Sequence, residues 1–163
     1  METITLRKCL DLAVVTEQIG ARFYDRMAKR FADNPEVGPV FAQLSRDEVA
    51  HEAQFKALVA KAPEEELPGD FESHMVLRAT AISEFFRQDA LKDLEQIDSP
   101  KDALLKALAL EKSTLFYYLS LREAIGEHAE LDELIKAEKG HVATLMKVIF
   151  TGAEFRGLAD PWS

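Results

Sequence analysis

The sequence predicts an all-α protein, a four-helix bundle whose second and third helices are joined by a long crossover. Three observations carry that prediction. Long segments are rich in Ala, Leu, Glu, Lys and Arg, all good helix formers, and none alternates with period 2. Four of these segments carry a stripe of apolar residues spaced by alternating steps of 3 and 4, the face a helix turns toward a bundle core. The punctuation is sparse: Asn34-Pro35 with Gly38-Pro39, Pro63 with Pro68-Gly69, Ser99-Pro100, Gly126 and Gly152. A length of 163 residues fits one domain, read here as 1–163.

The first helix lies within a pair spanning about residues 3–62, and its stripe reads Leu6, Leu10, Ala13, Glu17, Gly20, Tyr24, Met27, Phe31. The second reads Phe41, Leu44, Glu48, His51, Phe55, Leu58, Ala62. The Asn34–Pro39 turn between them is short, so the two are antiparallel neighbours. Residues 63–99 form the crossover. It opens on an exposed loop, Glu64 to Glu66 and Pro68-Gly69, and His74 to Leu94 then returns to helix-like composition with Phe85-Phe86 and Leu91. That stretch is either a short helix within the crossover or a fifth helix on the bundle end. The second pair spans about residues 100–151. Ser99 caps its first helix with Pro100 at the first helical position, and Gly126 closes it. The stripes are Leu104, Ala107, Glu111, Thr114, Tyr118, Leu121, Ile125 and then Leu131, Leu134, Glu138, His141, Leu145, Val148. Residues 152–163 are a tail. A bundle with one long crossover is the ferritin-like topology.

Hydrophobic residues at 47% and charged residues at 30% describe a globular chain, not a disordered one. A net charge of −9 repels phosphate backbones and anionic lipid, which argues against nucleic acid and membrane surfaces as partners. Cys9, the one cysteine, forms no internal disulfide and no Cys-based zinc or iron–sulfur site, and with no signal-peptide pattern at the N-terminus this indicates a cytoplasmic protein.

Six stripe residues do not belong in an apolar core: Glu17, Glu48, His51, Glu111, Glu138 and His141. Their order is duplicated. Glu17 is followed at seven residues by Tyr24 and later by the Glu-x-x-His pair Glu48 and His51; Glu111 is followed at seven by Tyr118 and later by Glu138 and His141. Residues i and i+3 project from one helix face, so each Glu–His pair can reach one position in the bundle centre. Two pairs with one Glu from each remaining helix make the ligand set of a di-iron or di-manganese carboxylate site. An isolated buried ion costs several kcal/mol even after relaxation. Two divalent cations neutralise four carboxylates and remove that cost. A single Glu-x-x-His is weak, since any exposed helix can carry one; the duplication and the core-facing stripes give the pattern its weight. Tyr24 and Tyr118 are candidates for a redox or carboxylate-positioning role, and equally for core aromatics hydrogen-bonded to a buried carboxylate. Asp47, four residues before His51, is placed to orient that imidazole or is a solvated charge. His74 and His128 read as surface residues; Met27 and Met146 read as core fillers.

At these residues the chain resembles the rubrerythrin branch of the ferritin-like superfamily, over about residues 3–151. The resemblance implies that the lone Glu of each half is a terminal ligand and the Glu of each Glu-x-x-His a bridge. Glu17 and His51 would then serve one iron, Glu111 and His141 the other, with Glu48 and Glu138 between. It implies two iron ions, with manganese or zinc as substitutes, and a reaction with hydrogen peroxide or dioxygen. It also implies a homo-oligomer, a dimer. Two features depart from the branch. Rubrerythrins place an additional Glu three residues after the helix-three ligand, and here that residue is Thr114. They also carry a Cys-rich rubredoxin-like domain, whose iron a chain with Cys9 alone cannot hold, so a separate donor protein would supply electrons. The six-residue pattern is equally close to the ferroxidase centre of bacterioferritin. Oxidation of Fe(II) for storage or transfer is therefore the alternative function, with a metal-free helical interaction module as a third.

Overall fold

The computed structural model describes residues 3–82 and 96–152. Its helices are α1 (Leu6–Arg30), α2 (Gly38–Lys61), α3 (Phe71–Ala81), α4 (Pro100–Ile125) and α5 (Ala129–Thr151). Among the described residues the only β interaction is an isolated bridge between Thr5 and Glu66. The bundle consists of the pairs α1–α2 and α4–α5, each joined by a short turn, and α3 packs on α4.

Each boundary has a local cause. Thr5 caps α1 by accepting from the Lys8 amide, and Ser99 caps α4 by accepting from the Asp102 amide at 3.0 Å. Pro100 sits in the first turn of α4, where a missing amide costs nothing. The Asn34 side chain accepts from the amides of Glu36 and Val37 and tightens the turn into α2. Gly126 ends α4 at φ 79°, in the region only glycine enters freely.

The α3 boundary differs from the sequence expectation. The helix begins at Phe71, three residues before His74, because Asp70 accepts from the Ser73 amide at 2.8 Å and so caps it. Leu77 and Thr80 are its buried residues. The Phe85-Phe86 and Leu91 part of the helix-like stretch lies outside the described residues, as does the tail beyond Gly152. The crossover is tied to α1 at both ends: Arg7 Nε lies 3.6 Å from Glu64 Oε1, and Arg30 pairs with Asp98.

The four stripes are the core. Every residue from Leu10 to Met27 on the first stripe, and every residue of the second, is buried. On the third and fourth stripes only the last members, Ile125 and Val148, are half-buried. Met27 is buried and Met146 packs against the core from its edge, as core fillers do. His74 and His128 are half-buried, each with part of its ring turned to a local backbone group. The His74 ring reaches the Leu67 carbonyl at 3.0 Å, and His128 caps α5 by accepting from the Leu131 amide.

Candidate metal centre

The bundle brings all six polar stripe residues together between α1, α2, α4 and α5, and none is more than 7% exposed. Ligand-type atoms of Glu48, His51, Glu138 and His141 all lie within 4.8 Å of one another. Glu17 Oε2 stands 3.6 Å from His51 Nδ1, and Glu111 Oε2 stands 3.5 Å from His141 Nδ1. Glu138 lies between the two rings, with Oε1 2.9 Å from His51 Nδ1 and Oε2 3.5 Å from His141 Nδ1. Glu48 Oε1 is 3.1 Å from His141 Nδ1. The two imidazoles stack at a centroid distance of 5.3 Å.

The donor set fits divalent cations. Seven buried atoms here make no hydrogen bond: Glu17 Oε2, Glu48 Oε1, His51 Nδ1, Glu111 Oε2, both Glu138 oxygens and His141 Nδ1. All six residues contribute at least one. Buried polar atoms in a native protein are paired unless an ion or water completes them. His51 Nδ1 and Glu138 Oε1 approach to 2.9 Å without completing a hydrogen bond, so two ligand-type atoms face shared space. About 3 Å is the separation of two donor atoms that sit about 2.1 Å from one divalent ion at a right angle.

The electrostatics agree. In the absence of a cation, burial pushes the Glu48 carboxyl far up, reinforced by Glu17, Glu111 and Glu138. Burial and the Glu138 charge take Glu111 to about 8, and the same causes raise Glu17. Burial would raise Glu138 as well, but His141 and His51 outweigh it and hold that carboxyl at about 2. Burial works against charge on both rings, yet Glu138 and Glu17 lift His51 to about 9, and Glu111, Glu138 and Glu48 raise His141 still further.

The surrounding residues cross between the halves. Tyr24, on the helix of Glu17, donates to Glu111 Oε1, and Tyr118, on the helix of Glu111, donates to Glu17 Oε1. Burial, with the facing carboxylates, raises both phenols well above the ordinary tyrosine range, so they remain donors. Phe41 stacks on Tyr24 at 6.1 Å, Phe55 packs on Tyr118 at 4.9 Å, and both tyrosines are fully buried. Asp47 does not face His51. Its Oδ2 lies 3.5 Å from Nε2 of His141 on the opposite helix, because on α2 the side chain of residue 47 projects toward α5. Gln43, absent from the sequence reading, donates to Asp47 Oδ1 at 2.7 Å; its i, i+4 spacing to Asp47 was the available signal.

A ferritin-like helical bundle with a buried carboxylate–histidine cluster is the class this fold and site define. Residues 8–149 match the family described as Rubrerythrin, and the chain belongs to that family. A crystal structure described as a ferritin-like diiron-carboxylate protein from Thermotoga maritima is similar in fold, with a TM-score of 0.72 at 21% identity, covering 98% of this chain and 99% of that one. No curated protein matches the sequence.

Proposed function

We propose that the protein is a di-iron oxidoreductase that reduces hydrogen peroxide or dioxygen with electrons from a separate donor protein. The observation that carries this is the set of seven unpartnered donor atoms from six residues, closed off from water. In this reading Glu17 and His51 hold one metal, Glu111 and His141 the other, and Glu138 and Glu48 lie between them. Bound iron would supply the redox chemistry and an open position for the oxidant. The protein residues supply the setting. Tyr24 and Tyr118 donate to Glu111 and Glu17 and fix which oxygen of each carboxylate faces inward. Asp47 Oδ2, 3.5 Å from His141 Nε2, favours the ring proton on that nitrogen and so leaves the Nδ1 lone pair facing Glu48 and Glu138. For peroxide the balance is two electrons and two protons in, two waters out.

Thr114, buried where a rubrerythrin carries an additional carboxylate, favours a second reading, Fe(II) oxidation with iron as substrate. Steady-state peroxide consumption by iron-loaded protein with a chemical reductant separates the two. Catalytic peroxide loss at constant iron content supports the oxidoreductase. Iron uptake beyond two atoms per chain, with no reductant-driven turnover, supports iron handling and overturns it.

A further inference from the structure

Position 20 breaks the duplication of the site. Gly20 stands three residues after Glu17, and its counterpart three after Glu111 is Thr114. Glycine is disfavoured inside a helix, and nothing in the backbone requires it here: among the described residues only Gly69 and Gly126 take positive φ. Space is what requires it. A methyl group on Gly20 would stand 2.6 Å from Glu48 Oε2, 3.1 Å from its Cδ and 3.3 Å from its Cγ. Gly140, also within a helix, has nothing within 4 Å of such a methyl. The Glu48 carboxyl is enclosed on both sides, with Oε2 against α1 and Oε1 directed at His141. Glu138 differs, since it reaches both imidazoles.

We infer that Gly20 is a positioning residue: its missing side chain is the seat of Glu48 Oε2, and it sets where α2 delivers this carboxylate in the metal centre. An alanine there forces Glu48 to turn away from α1, and the carboxylate loses the position from which it faces His141. The effect on metal rests on the proposed role of Glu48 as a ligand; the steric seat does not.

The test is a cycle of four full-length proteins: wild type, Gly20→Ala, Glu48→Ala and the double variant. Without metal, Gly20→Ala is expected to lower Tm, whereas the same change in the Glu48→Ala background leaves Tm equal or higher, because alanine is the better helix former. In anaerobic Mn(II) titration, Gly20→Ala is expected to weaken at least one of two sites tenfold or more. A Gly20→Ala protein that melts at or above wild type, or that binds Mn(II) with unchanged affinity and stoichiometry, overturns the inference. If Gly20→Ala does not fold, the double variant must fold and melt no lower than Glu48→Ala; its failure is equally contrary. Wild type that binds no metal defeats the proposed function instead, while the melting cycle still decides the seat.

Discussion

At the level of single residues, the site separates carboxylates that look alike in sequence. Glu48 and Glu138 occupy the same place in the two Glu-x-x-His pairs, yet burial and three neighbouring acids push the Glu48 carboxyl well up, while His141 and His51 hold Glu138 at about 2. Glu48→Gln removes an acid whose charge burial and three neighbouring carboxylates disfavour, and is expected not to lower the metal-free Tm at neutral pH. Glu138→Gln removes the counter-charge of both rings and is expected to lower it; thermal melts of the two variants check the difference. Tyr118→Phe strands a buried oxygen of Glu17, at about 1–3 kcal/mol. Loss of such a supporting partner also weakens metal binding by about 10–100-fold, measurable by Mn(II) titration. The six polar residues were legible because each interrupts an apolar stripe, and burial on a stripe follows from period alone. Partners across helices were not. Spacing put Asp47 beside His51 and left the carboxylate partner of Tyr24 open, and packing joined Tyr24 to Glu111 and Asp47 to His141.

Among the elements, helix ends follow caps and glycines that the sequence shows openly. Gly126 is the sharpest case, with φ 79° and open space around the position of a Cβ. Gly126→Ala therefore tests backbone strain without a clash, and is expected to cost about 1–3 kcal/mol in denaturant melts while leaving metal affinity unchanged. The sequence hides the start of α3 for a physical reason. Asp70 sits in an acidic loop after Pro68-Gly69, where a capping carboxylate and a solvated charge look the same until the Ser73 amide is seen to point at it. The pairing of α1 with α2 and α4 with α5 was legible from turn length, because a turn of a few residues leaves no other arrangement.

For the whole molecule, metal, protons and stability are linked. His51 is raised from 6.5 to about 9, so its contribution is full below 6.5 and is lost as pH rises through 9. Glu111, raised from 4.5 to about 8, contributes fully below 4.5 and loses that contribution on the way to 8. Glu138 has the opposite sign: held at about 2, it contributes above 4.5 and loses the contribution as pH falls toward 2. Metal-free protein is therefore expected to melt progressively lower from about pH 5 to about pH 9, while metal, which displaces those protons, gains affinity over the same range. Each bound ion adds about 4 kcal/mol at a free concentration a thousandfold above its Kd. The gap in Tm between loaded and metal-free protein should widen with pH, and melts with and without Mn(II) would show it. Among the described residues no helix is long and apolar enough to cross a membrane. The apolar stripes pack together as the bundle core that closes over these groups. The most direct test of that core as a di-metal centre is anomalous diffraction at the iron edge from iron-loaded crystals. Two peaks about 3.5–4 Å apart, ringed by Glu17, Glu48, His51, Glu111, Glu138 and His141, are the expected result. Peaks elsewhere, or none among these six residues, would contradict it.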